Sequence, residues 1–202
     1  MGRKSIKEIR QKEIIRAFYQ VCKKEGLENA SIAKVASHLG INPSLIMHYF
    51  KTREELIFGL ISYTLERYRL MFRTEKDNGD SQKQLSLLIH KLFSRKWGTL
   101  FDDGVFYSCY ALVFRDDKIR QHFLELHQDL RRWLAEAIAN AKGDGYVDVE
   151  DPELTADLIF ALVDGSYYYF GLLAKPQKKN TEHYKKIAFE ILKLTAAEIE
   201  AR

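Results

Sequence analysis

The chain has 202 residues, enough for one large domain or two smaller ones that each bury a core. Its composition, 46% hydrophobic and 30% charged with three prolines, excludes a disordered or linker-rich polypeptide. The net charge of +4 is uneven: residues 1–53 hold eleven Lys/Arg and four Asp/Glu (+7), which leaves 21 basic and 24 acidic residues (−3) and suits the front to a polyanion.

The N-terminal stretch MGRKSIKEIRQKE is charged and lacks the apolar run of a signal peptide. Ile6, Ile9, Ile14, Phe18, Val21 and Cys22 then recur at helical spacing, up to a C-cap glycine at Gly26. Ser31 can cap a second helix with Val35, Ala36 and Leu39 facing inward, and Gly40 stops it. Asn42 is a good N-cap, and Pro43 sits where a first helical residue needs no N–H, so a short third helix over 43–50 is expected. Thr52-Arg53-Glu54-Glu55 has the form of a capping box and opens a fourth helix that runs to about Phe72. A polar break follows at Lys76-Asp77-Asn78-Gly79-Asp80. Further helices are expected at about 81–98, 103–115, 117–141, 152–173 and 181–200, separated by Gly-, Pro- and Asp-bearing breaks. No strand pattern is visible. The fold class is all-α with about nine helices, and the chain is expected to divide into an N-terminal domain over 1–52 and a larger domain over 53–202.

The first three helices carry the function. Two short helices joined by a tight Gly-containing turn, here Gly40-Ile41-Asn42, form a helix-turn-helix, whose second helix enters the major groove. Ile46 and Phe50 fall on one face and pack on the neighbouring helices, which leaves Ser44, Met47 and His48 facing out. Tyr49 lies at the edge, with its hydroxyl within reach of a phosphate. Ser31 and Asn42 stand at helix N-termini, where free N–H groups favour anions. Lys34, Lys51 and Arg53 add charge nearby, and Gly2-Arg3-Lys4 can serve as a minor-groove arm. The candidate DNA contacts are therefore Arg3, Lys4, Ser31, Lys34, Asn42, Pro43, Ser44, Met47, His48, Tyr49 and Lys51. A small packed helical unit with incidental basic residues has the same spacing.

The segment SIAKVASHLGINPSLIMHYFKTREELI resembles the DNA-binding region of the TetR family of bacterial regulators. The likeness rests on Val35-Ala36, Gly40-Ile41, Ile46, His48-Tyr49-Phe50-Lys51 and Glu54-Glu55-Leu56, within about residues 10–60. It implies an all-α homodimer with a three-helix DNA-reading head and a larger body that binds a small molecule. Asn42 stands where Ser is usual, Ser44 where Gly is frequent, and Met47 where a phosphate-touching Tyr is common. Met47 is accordingly read as an apolar contact to a thymine methyl. Ile46-Met47-His48-Tyr49-Phe50, Ala161-Leu162-Val163-Asp164-Gly165 and the stretch ALVFRDDKIRQHFLELHQDLRRWLAEAI also resemble, more loosely, the branch of choline-responsive repressors of glycine betaine synthesis. That second resemblance bears on shared architecture more than on shared ligand.

In the body, the stretch 152–173 is apolar nearly all round and is expected to be covered on every side, by its own core and by a twin chain. Gly165 and Gly171 would allow close approach. Tyr184, Ile187, Ala188, Ile191, Leu192 and Leu194 give the final helix a second sticky face, so a four-helix interface in a homodimer is expected. A dimer presents two recognition helices to successive major grooves about 34–36 Å apart, which calls for a rough palindrome. Aromatic residues are plentiful in the body. Most are core, but Trp97, Phe101, Phe106, Tyr107, Tyr110 and Phe114, with Trp133, Tyr167 and Tyr168, could line a pocket for a flat, greasy or cationic effector, and Asp164 could balance a cation. The expected mechanism is a population shift. The effector favours a head spacing unsuited to DNA, and the fourth helix is the lever.

Other function classes fare worse. The sequence holds no Gly-rich phosphate loop, G-x-S-x-G or HExxH, so no catalytic residues and no cofactor are expected. The spacing of His122, Glu125 and His127 does not bring all three to one helical face, so no metal is expected. Cys22 and Cys109 form no CxxC pair and read as buried small residues in a reducing cytoplasm. The most apolar stretch carries Asp164 and is short for a membrane span. The alternative to an effector-responsive repressor is an architectural or ligand-independent DNA-binding protein of the same fold.

Overall fold

The computed structural model describes residues 6–72, 80–94, 102–173 and 178–193. Arg3, Lys4, Trp97, Phe101, Leu194 and the polar break at 76–79 lie outside the described residues. Among those described there are nine α-helices, one short 3-10 segment and no strand. We number the helices α1 (Ile6–Glu25), α2 (Ile32–Leu39), α3 (Pro43–Tyr49), α4 (Arg53–Phe72), α5 (Ser81–Leu92), α6 (Asp103–Tyr110), α7 (Asp117–Gly143), α8 (Pro152–Gly171) and α9 (Lys178–Ile191), with the 3-10 turn at Ala111–Phe114 between α6 and α7.

The breaks form for local reasons that the residues supply. Gly40 takes φ 66° at the end of α2, a left-handed geometry that costs a glycine little, and the Ile41 N–H closes back onto the Ala36 carbonyl at 3.0 Å. The Ser31 hydroxyl accepts from the Lys34 N–H, and the Asn42 side chain accepts from the Ser44 N–H. At α4 the Thr52 hydroxyl accepts from Glu55 N–H at 3.2 Å. The Glu55 carboxylate returns to the Lys51 N–H at 2.7 Å, one residue ahead of the usual capping-box donor. Asp116 caps α7 through the Lys118 and Ile119 N–H groups, and Asp151 caps α8 through those of Glu153 and Leu154.

The helices group into two compact units. One draws on Met1–Tyr68 and Phe101–Leu124, the other on Arg69–Leu100 and Glu125–Arg202, so the chain passes between them three times, within α4, between residues 100 and 101, and within α7. The first unit is built on Phe18, Val35, Ala36, Ile46, Leu56, Leu60, Ile61 and Leu65, all buried. The second is built on Leu85, Ile89 and Leu92 of α5, Leu134 and Ile138 of α7, Ile159 and Phe160 of α8, and Ala188, Phe189 and Leu192 at the end of α9.

Two expectations are corrected. Ile6 and Ile9 are exposed, because burial along α1 begins at Ile14. The helix expected over 103–115 is α only to Tyr110 and tightens into the 3-10 turn. Within the protomer α8 is buried on one face, through Thr155, Ala156, Ile159, Phe160, Val163, Ser166 and Phe170, while Leu154, Leu158, Tyr168, Tyr169 and Leu172 are exposed.

Candidate nucleic-acid interface

Helix α3 is seven residues long, and only one of them is buried. Ile46 is fully enclosed and anchors the helix, aided by Phe50 just beyond its end. Pro43, Ser44, Leu45, Met47 and His48 are exposed, and Tyr49 is half-buried with its ring edge-on to His48 at 5.1 Å. Ser44, Met47 and His48 thus stand on the open face, as their spacing predicts. Leu45 is also exposed, at 42%, and sequence reasoning passed over it because a leucine at helical spacing reads as core. Asn42 does its capping twice over. Its Oδ1 accepts from the Ser44 N–H at 2.9 Å and from the Ser44 hydroxyl at 2.8 Å.

The surrounding charges divide into spent and unspent. Lys51 is exposed, and its backbone, not its ammonium, is what Glu55 holds. Lys34 pairs with Glu25 across the α1–α2 corner, and that ammonium holds the Glu25 carboxyl below its ordinary range. Arg53, expected as added surface charge, turns inward. Its guanidinium donates to the carbonyls of Ala30 at 3.1 Å and Leu27 at 2.5 Å, tying the first residue of α4 to the loop between α1 and α2. A second tie within this unit links α1 to α6: the Tyr19 hydroxyl accepts from the Asp102 N–H at 2.9 Å.

The candidate effector residues fall in both units. In the first, Phe106, Tyr107, Tyr110 and Phe114 belong to a ring cluster that includes Phe123, with centroid separations of 5.4–6.4 Å. Phe114 is its exposed end, at 79%. In the second, Tyr167 is a structural lock, its hydroxyl donating to the carbonyls of Leu92 at 3.1 Å and Ser94 at 2.9 Å. Trp133 is half-buried and Tyr168 is exposed. Asp164 does not stand alone as a counter-ion. Arg131 lies 3.6 Å from it and 3.2 Å from Asp157, stacks over the Phe160 ring at 5.1 Å, and reaches the His127 ring at 3.2 Å. Burial, joined by the Arg131 charge and opposed by the Asp164 carboxylate, holds the His127 imidazole below its ordinary pKa. A cleft of about 790 Å3 opens in this unit beside the same arginine, lined by Gln128, Arg131, Arg132, Glu136, Asp151 and Asp157 among others, and none of the expected aromatic residues lines it.

Burial pushes both cysteine thiols up to about 12, so Cys22 and Cys109 are packing groups and not nucleophiles. Among the described residues no group of three His, Cys, Asp or Glu could hold a metal ion, and no helix is long and apolar enough to cross a membrane.

The family described as bacterial regulatory proteins, tetR family, matches residues 14–60, and that described as tetracyclin repressor-like, C-terminal domain, matches residues 80–194. The chain is 23% identical over 186 residues to the HTH-type transcriptional regulator PksA of Bacillus subtilis (strain 168), covering 91% of this chain and 88% of that protein. Its fold resembles that of a TetR transcription regulator from Haloarcula marismortui ATCC 43049, with a TM-score of 0.81 at 18% identity over 92% of this chain and 97% of the other. A chain from Saccharomonospora viridis, solved in complex with choline, matches with a TM-score of 0.78 at 15% identity over 91% of this chain and 96% of the other.

Proposed function

Because the chain belongs to the TetR family of bacterial transcription regulators, we propose that it is a cytoplasmic repressor that binds a palindromic operator as a homodimer and leaves it when a small molecule binds the body. The observation that carries this reading is α3. It is a short helix held by one buried side chain, with its other face open, within a strongly basic N-terminal region. Lys51 contributes unspent charge for the phosphates, and Tyr49 stands beside it at the helix end. The head takes in residues 1–52, and the rest of the chain serves dimerisation and regulation.

The dimer is supported by α8. Leu154, Leu158, Ala161, Gly165, Tyr168 and Leu172 are spaced alternately four and three residues apart and are all exposed, a seam left uncovered by the described residues of the protomer. For the effector, the looser likeness to the choline-responsive branch and the fold shared with a chain solved with choline make small quaternary ammonium compounds the first class to try. The cation site, if it is built as proposed, would use aromatic faces from the body. Asp164, the expected counter-ion, lies 3.6 Å from Arg131 and would be shared between that arginine and the ligand. A ligand that prefers the non-binding head spacing lowers operator affinity by its differential affinity for the two states, typically about 1–3 kcal/mol of coupling.

Selection of bound duplexes from random DNA by the full-length protein tests the reading, followed by a search for compounds that release the selected site. A palindromic consensus released by a small molecule is expected. A protein that selects no sequence, or that no compound displaces, would return the alternative of a ligand-independent DNA-binding protein or remove DNA binding altogether.

A further inference from the structure

The exposed face of α3 is poor in groups that read bases by hydrogen bonds. The helix PSLIMHY contains no Arg, Lys, Asn or Gln, the side chains that pair bidentately with guanine or adenine edges. Its one hydroxyl outside Tyr49, that of Ser44, gives its proton to Asn42 Oδ1 at 2.8 Å. What the helix offers is apolar. Leu45 is 42% exposed and Met47 is 52% exposed, while Ile46 between them is fully buried.

The helical angle places these two side chains. At about 100° per residue, Leu45 and Met47 project roughly 100° to either side of the inward-pointing Ile46, and they flank a crest made by Ser44 and His48. They therefore meet different base pairs and do not form one contact. A surface helix with one buried side chain has no packing use for two more large apolar ones. The basic region around it, eleven Lys/Arg against four Asp/Glu over residues 1–53, names a polyanion as the occupant of that face. In the major groove the apolar feature a base pair can present is the C5 methyl group of thymine.

We propose that this protein reads its half-site chiefly through thymine methyl groups at two separate positions, one covered by Leu45 and the other by Met47. The proposal rests on the reading of α3 as the DNA-facing helix. It makes the operator rich in A·T pairs at those two positions, with the His48 ring and the Ser44 oxygen, as an acceptor, left on the open face to add hydrogen bonds to base edges.

The test changes the DNA and leaves the protein intact. Each thymine of a selected operator is replaced in turn by deoxyuridine, which lacks only the methyl group, and binding of the full-length protein is measured at fixed salt. Two positions per half-site should each lose about fourfold in affinity on substitution, the worth of burying roughly one methyl or methylene group. Leu45→Ala should abolish the deoxyuridine penalty at one of them and Met47→Ala at the other, with thermal stability and salt dependence unchanged because both side chains are exposed. Deoxyuridine tolerated everywhere in an operator that binds tightly would overturn the methyl readout and leave the repressor reading standing. So would a penalty indifferent to both alanine variants. If no duplex is selected at all, both readings fall together.

Discussion

Lys51 and Arg53 stand two residues apart at the head of α4 and do opposite work. Lys51 is exposed with its ammonium unspent, whereas Arg53 is half-buried and gives its guanidinium to the carbonyls of Leu27 and Ala30. Lys51→Ala should weaken operator binding about equally for all sequences and reduce the slope of log affinity against log salt by about one, with stability unchanged; titrations at several salt concentrations read both. Arg53→Ala should leave that slope alone. It strands two backbone acceptors beside the buried Leu27 and Ala30, so a stability loss of about 1–3 kcal/mol is expected in urea denaturation. The contrast shows what was legible at this scale. Asn42, Pro43, Gly40 and Ser31 declared their places because capping is decided within a few residues of chain. Arg53 did not, because its partners lie 23 and 26 residues earlier and only the folded head brings them near. Leu45 was illegible for the same reason: whether a leucine is covered depends on what stands opposite it.

Helices meet where side chains permit. Along α4, Gly59 faces α1 so closely that a Cβ there would lie 2.6 Å from Ile15 Cδ1 and 3.2 Å from Phe50 Cε1. Alanine normally gains about 1 kcal/mol over glycine in a helix interior. Here the buried Ile15 has little room to yield, so Gly59→Ala should cost a net ~1 kcal/mol or more in thermal or urea unfolding. On α5, His90 packs its ring against Phe189 of α9 at 5.5 Å. Burial first, then the charge of Lys185, hold its pKa below the ordinary value, against a smaller opposing pull from Glu182. The unfolded chain therefore takes up a proton near pH 6.5 that the folded chain resists. Stability should be full above that pH and fall as the pH drops through and below it. His90→Gln should flatten part of that fall in melting temperatures recorded between pH 7.5 and 5.5. The helices themselves were readable from periodicity and caps. Their faces were less so. Ile6 and Ile9 continue the apolar stripe of α1 yet are exposed, and the apolar pattern of 152–173 does not say which half of α8 its own protomer covers.

The uncovered half of α8 bears on the proposed dimer. An apolar seam running from Leu154 to Leu172, with Gly165 at its middle, is large for an isolated soluble chain to leave in water. In the proposed dimer it closes against its twin. Beyond its chain neighbours and the adjoining helix backbone, Gly165 has no atom within 4 Å of where a Cβ would stand, so within one protomer Gly165→Ala is free to gain up to about 1 kcal/mol of helix propensity. In a seam that uses the glycine for close approach, the same methyl group pushes the two backbones apart. The two effects have opposite signs and are read by different measurements, unfolding at low concentration and the dimer dissociation constant by sedimentation. Leu158→Arg is the stronger perturbation, because it places one cation from each chain in the middle of an apolar contact while disturbing nothing buried in its own protomer. It should yield a helical protein that sediments as a single chain and binds half-sites only weakly, since two heads tethered together gain affinity that each alone lacks. A Leu158→Arg protein that stayed dimeric and held the full palindrome would move the interface off α8. The lever proposed in α4 would then have to act on heads paired some other way.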